Sequence, residues 1–256
     1  YKAIAMRWLL ILICIFPFVV ISFFDEIPQN TRKELEIRRR FMSTASSTTI
    51  YQKNTYFKRA ILAATDNKPD NLLQVNLGEI ALEMNKIENE YTLPYAWGGS
   101  IRNHMQGLDC SGFIHGLLYF TGESNYRRRF NTRAFYNQLR RDRNYIETFN
   151  ALNSPGYSLQ DVVKNLSVGD IILWPSGIQD GKNLPGQIWG HVGIVSTIID
   201  GKPYVTHYVK SEAYNELDIY SRKGHGLNTL EAYTFINIKQ RGVLSVFRQK
   251  GKLNET

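Results

Sequence analysis

Residues Pro94 to Phe120 read PYAWGGSIRNHMQGLDCSGFIHGLLYF, and the chain passes from loop chemistry to helix chemistry at the Asp109-Cys110 step. Gly98, Gly99 and Gly107 mark a loop, and Asp109 is a residue type that starts helices. From Cys110 onward, Phe113, Ile114, Leu117 and Leu118 fall at i+3, i+4, i+7 and i+8, which predicts a helix beginning at Cys110. The thiol then sits on the buried-facing stripe, in the first turn. Helix N–H groups without intrahelical acceptors, and the positive end of the helix dipole, favour a thiolate there. A small hydrophobe in the core is the other reading of a free cysteine, and this stretch alone leaves both open.

The chain of 256 residues has room for one well-cored domain with an appendage, or for two small domains. With 43% apolar and 21% charged residues its composition is that of a globular protein, without repeats or low-complexity tracts. A net charge of +8 suits anionic partners, among them nucleic acid, anionic lipid and wall polymers. The two cysteines give no disulfide framework, because Cys14 lies inside an apolar segment.

That segment, Trp8 to Phe24 (WLLILICIFPFVVISFF), carries no charge. At about 1.5 Å per residue it reaches roughly 25 Å, the short end of a bilayer span. Ser22-Phe23-Phe24-Asp25 offers no small-x-small cleavage site, so an uncleaved membrane-anchor helix is expected over 1–24 in preference to a cleaved signal. Residues 25–75 read as a stalk with one or two short helices, 76–250 as the globular body and 251–256 as a tail. Lys2 and Arg7 precede the apolar segment, whereas Arg32, Lys33 and Arg38 to Arg40 follow it. Taken alone, that bias would place the body in the cytoplasm.

Within the body, Leu77, Ile80, Ala81, Met84 and Ile87 predict a helix that ends near Tyr91. Tyr126 to Arg143 reads as a helix with a basic outer face rather than a nucleic-acid patch. Strands are expected at Ile171–Trp174, Trp189–Ile198, Tyr204–Lys210, Thr234–Ile238 and Val243–Phe247, with a Gly/Pro-rich loop over Pro175–Gly186. Helices first and strands after indicate an α+β fold, with N-terminal helices packed on an antiparallel sheet.

A cysteine nucleophile needs a base within hydrogen-bond reach and a third group to orient that base. Of the five histidines, His191 and His207 lie on predicted strands, while His104, His115 and His225 are placed less well. The intervening hairpin admits two registers. A two-residue Asp200-Gly201 turn pairs Ile199 with Lys202 and puts the two histidines on opposite faces. A three-residue loop with Gly201 left-handed pairs Ile198 with Lys202, and sets His207 opposite Gly193 on the face of His191. An orienting role for His207 therefore predicts the second register. Zinc held by Cys110, His191 and His207 is poorly supported, because the usual ligand spacings are missing. No metal or other cofactor is expected.

Pro94-Tyr95-Ala96-Trp97-Gly98-Gly99, Asp109-Cys110-Ser111-Gly112-Phe113, Val168-Gly169-Asp170-Ile171-Ile172, and Gly190-His191-Val192-Gly193-Ile194 with His207 after them resemble, in order and spacing, the NlpC/P60 family of papain-like bacterial cell-wall cysteine peptidases. The resemblance spans Leu77 to Phe247. It implies Cys110 as nucleophile, His191 as base and His207 as its orienter. It implies an oxyanion site at the Cys110 N–H, with Tyr95 as a second donor or pocket wall and Trp97 as a substrate contact. Asp109 and Ser111 would meet the free amine of a stem peptide. The implied substrate is the peptide of peptidoglycan, at bonds such as γ-D-glutamyl to diamino acid. No nucleic-acid partner is implied, and the body would lie periplasmic or extracellular, against the charge bias. The same core chemistry also serves amidases, acyltransferases and secreted antibacterial effectors, and a non-catalytic wall-binding module is the alternative outside enzymes. The long His191 to His207 hairpin and the Ser176 to Gly186 insertion depart from the family pattern.

Overall fold

The computed structural model describes residues 48–66, 75–87, 93–123, 126–178, 189–210, 217–220, 226–238 and 242–251. The anchor expected over 1–24, the stalk at 25–47 and 67–74, and all but the first residue of the tail lie outside the described residues. Among the described residues, no helix is long and apolar enough to cross a membrane.

Helices α1 (Thr48–Ala64), α2 (Leu77–Ile87), α3 (Cys110–Phe120) and α4 (Thr132–Arg141) come first, then strand β1 (Tyr145–Asn150) and helix α5 (Leu159–Lys164). Strands β2 (Ile171–Trp174), β3 (His191–Ile199), β4 (Lys202–Val209) and β5 (Gly226–Glu231) follow, and helix α6 (Ala232–Ile238) and strand β6 (Ser245–Gln249) close the body. All strand pairs are antiparallel, in the order β1-β6-β2-β3-β4-β5. The expectation of helices with an antiparallel sheet is met.

The helices cover both faces of that sheet. On one, α1, α2 and α3 pack Phe57, Met84, Phe113 and Leu117 against Val192, Ile194, Tyr208 and Leu227. On the other, Val162 of α5 and Phe235 and Ile236 of α6 pack against Ile172, Val195, Val205 and Leu230. The β3 alternation follows from this: Val192 and Ile194 face the first layer, and His191, Gly193 and Val195 face the second.

Three expectations are corrected. Residues 48–64 belong to the body and not to a stalk, since Tyr56, Phe57, Ala60 and Ile61 have no exposed surface. Lys53 falls on the same stripe, which weakened the helical signal. Thr234–Ile238 is part of α6 and not a strand. Short apolar runs suit either state, and burial of Phe235 and Ile236 beneath the sheet decided for helix. Strands β1 and β5 appear where none was expected. The GLNTLE run of β5 looks like loop composition, yet Asn228 and Thr229 are buried, Thr229 with its hydroxyl hydrogen-bonded inside to Thr206 and Asn85. The helix expected to reach Tyr91 is described as far as Ile87, with 88–92 outside the described residues.

Candidate active site

The loop before Cys110 is held by its own backbone. Ala96 N–H donates to Leu108 O (2.9 Å) and Leu108 N–H to Pro94 O (3.2 Å), which lays Tyr95 beside Leu108. Asp109 N–H reaches Gly99 O (3.2 Å). Loop and helix come so close at that carbonyl that a Cβ on Gly112 would lie 1.9 Å from it, so only glycine fits. From α1, the buried Lys53 Nζ donates to Ser100 O (2.8 Å), Asn103 O (3.1 Å) and Asn103 Oδ1 (3.3 Å). Loss of water around this ammonium pushes its pKa down to about 8.

Asp109 caps α3. Its Oδ1 accepts from Gly112 N–H (2.6 Å) and Ser111 Oγ (2.9 Å), and its Oδ2 accepts from Gly98 N–H (2.9 Å) and from Arg129 Nη2. The helix therefore starts at Cys110, as the sequence indicates, with its sulfur in the first turn and nearly buried. Ser111 Oγ also accepts from Arg129 Nη2 (3.3 Å). These bonds place the two flanking residues in the structure of the helix start, which leaves little of either for the substrate amine they were expected to contact.

His191 Nε2 and His207 Nδ1 lie 2.9 Å apart, with the rings nearly perpendicular. The route to this pairing differs from the one expected. Ile199 pairs with Lys202, so the turn is the two-residue Asp200-Gly201, with φ of 50° and 73°. That turn alone would separate the histidines. A bulge at Ser196 restores them, because Val195 pairs with Val205 while Thr197 pairs with Tyr204. Ser196 Oγ accepts from Thr206 Oγ1 (2.8 Å), Thr206 Oγ1 meets Thr229 Oγ1 (2.7 Å), and Asn85 Nδ2 of α2 donates to Thr229 Oγ1 (2.6 Å). The bulge is thus tied through a buried polar chain to the helix layer. On the other face, the Phe235 ring packs against both His191 (5.7 Å) and His207 (4.8 Å). A Cβ on Gly193 would meet Phe235 Cζ at 2.9 Å and Val205 Cγ1 at 2.6 Å, so the space beside the rings is filled by Phe235.

Cys110, Tyr95, Trp97, Asp109 and Ser111 line a single cleft of about 210 Å³, together with Gly190, the residue before His191. Tyr95 is half-buried and its phenol is held protonated, chiefly by burial and then by the charges of Cys110 and Asp109. It is thereby kept a hydrogen-bond donor. Trp97 and Trp189 stand at the rim, 62% and 59% exposed, with rings edge to face at 5.0 Å. His104 is exposed in the loop, His115 is buried within α3, and His225 lies outside the described residues. No group of three or more His, Cys, Asp or Glu side chains among the described residues is arranged to hold a metal ion.

No protein-family model and no curated protein matches this chain.

Arg129 and Trp189 also belong to this cleft, and sequence reasoning had not singled them out. Trp189 directly precedes Gly190-His191, so its place beside His191 could have been noticed. Arg129 was one of several arginines in a basic run, and no local signal distinguishes it. The run divides at Asn131, which caps α4. Arg133, Arg140 and Arg141 of that helix face outward as expected, with Phe135, Tyr136 and Leu139 buried beneath them.

Proposed function

We propose that this protein is a papain-like cysteine peptidase that hydrolyses peptide bonds of peptidoglycan stem peptides, with Trp8–Phe24 anchoring it so that the body lies outside the cytoplasmic membrane. The observation that carries the reading is the His191–His207 pair at 2.9 Å, reached through a strand bulge, on the strand that begins at the wall of the Cys110 cleft. A histidine whose one nitrogen is engaged by a second group is the arrangement a nucleophile's base requires.

The proposed roles divide by atom. Nε2 of His191 is engaged by His207, and Nδ1 takes the proton from Cys110 Sγ in the proposed reaction. The imidazolium so formed donates Nε2–H to His207 Nδ1, which fixes the ring and favours its charged form. The thiolate, in the first turn of α3, attacks the carbonyl carbon. The oxyanion is met by the Cys110 N–H and by the Tyr95 O–H. His191 Nδ1–H then passes its proton to the leaving amine, and water hydrolyses the thioester.

Incubated with muropeptides, the purified protein is expected to release new amino termini, and mass analysis of the products identifies the bond. Cys110→Ala should abolish release; digestion undiminished in that variant would dismiss the mechanism. For the orientation, a C-terminal reporter that fluoresces only in the cytoplasm should stay dark. A bright reporter would place the body on the wrong side for this substrate.

A further inference from the structure

Asp109 has no room for a substrate amine. An ionised carboxylate offers about four lone-pair sites. Here Gly112 N–H and Ser111 Oγ occupy Oδ1, while Gly98 N–H and Arg129 Nη2 occupy Oδ2. The side chain is only 5% exposed, so an ammonium arriving there would have to displace Arg129.

Arg129 is the opposite case. A guanidinium carries five N–H donors in a planar fork that matches a carboxylate. Among the described residues, only Nη2 finds acceptors, Asp109 Oδ2 and Ser111 Oγ. Nε is buried without an acceptor, which is uncommon in folded proteins. The side chain is 30% exposed and forms part of the wall of the cleft that holds Cys110. Apart from Asp109, which Arg129 neutralises, no acidic side chain among the described residues lines that cleft; Asn131, Thr132 and Ser176 supply uncharged polar groups. An incoming carboxylate therefore finds unused guanidinium donors on the wall of the cleft.

We propose that Arg129 is a specificity-determining residue that receives a substrate carboxylate beside the scissile bond, and that the cleft does not require a free amino terminus on the peptide. This deepens the hydrolase reading and rests on it. A γ-linked glutamyl residue has the chemistry that fits. Linkage through the side-chain carboxyl leaves its α-carboxylate free, on the same residue that supplies the scissile carbonyl.

The test compares acetyl-L-Ala-γ-D-Glu-L-Lys with its glutamate α-carboxamide and with the free-amine peptide. The wild-type protein reports kcat/KM, and the Cys110→Ala protein reports Kd. The carboxylate peptide is expected to bind and react about tenfold better than the carboxamide, with acetylation changing either value by less than about threefold. In Arg129→Gln the carboxylate-to-carboxamide ratio should fall to near one, and Arg129→Lys should retain part of it. Should Arg129→Gln not fold, the wild-type ratio decides by itself. Equal Kd for carboxylate and carboxamide, or a preference above about tenfold for the free amine, overturns the proposal whatever is cleaved. If no peptide is cleaved yet the Cys110→Ala protein still prefers the carboxylate, the hydrolase reading falls and the carboxylate receptor stands.

Discussion

Two buried charges hold the loop in front of Cys110, Asp109 from the helix side and Lys53 from α1. Asp109 is compensated by Arg129 and four donated hydrogen bonds in all. Lys53 faces only carbonyl oxygens, so its charge is hydrogen-bonded without a counter-ion among the described residues. The consequence is a pH dependence of definite sign. Burial lowers the Lys53 pKa from 10.5 to about 8, so between those values the unfolded chain binds a proton that the folded protein has lost. Stability then rises with pH across the window, and the penalty is fully present below it. Urea midpoints of wild type and Lys53→Met, taken from pH 7 to pH 10, should show the wild type gaining on the variant as pH rises. A difference that stays flat, or that narrows in the other direction, would mean that Lys53 keeps its proton in the fold. Tyrosines ionise in the same range, but in both proteins alike, and so drop out of the comparison.

At the scale of elements, α3 and β2 to β4 were readable because each joins an apolar pattern to a boundary residue. Asp109 precedes a helical stripe, Gly169-Asp170 precedes four buried strand residues, and Asp200-Gly201 joins two β-rich runs. Asp170 also receives Arg248 Nε and Nη2, both at 2.7 Å, which ties the start of β2 to β6. The Ser196 bulge was not readable. A bulge leaves no mark in hydrophobic alternation, and Ser196 is an ordinary residue for a half-exposed strand. What makes it necessary is the contact of Ser196 with Thr206, and through Thr229 with Asn85, across positions far apart in the chain. The sequence argument reached the right face for His207 with the wrong turn, since a loop bulge and a strand bulge change the parity of the ladder alike. Strand β5 was hidden for a related reason: Thr229 Oγ1 meets Thr206 Oγ1 and Asn85 Nδ2, and Thr229 N–H donates to Asp218 Oδ1, partners that only the fold brings together.

For the whole molecule, the larger correction is the place of α1, because it changes what holds the site. An α1 belonging to a stalk would lead away from the body without packing into its core. In the structure Phe57 stacks on Phe120 at 5.5 Å and lies 6.4 Å from Phe113, both on the helix that carries Cys110, and Lys53 of the same helix reaches the loop beside the cleft. The core under Cys110 is thus completed from residues that precede the expected domain boundary. Phe57→Ala removes a fully buried ring from that core, and large-to-small changes of this kind cost about 3–5 kcal/mol. Chemical denaturation should show a loss of that order in one cooperative transition, with activity per folded molecule largely kept at low temperature. A stalk helix would give a change within about 0.5 kcal/mol, as surface substitutions do. A loss of that small size would return the boundary to residue 76 and leave α3 to be supported by α2 and the sheet.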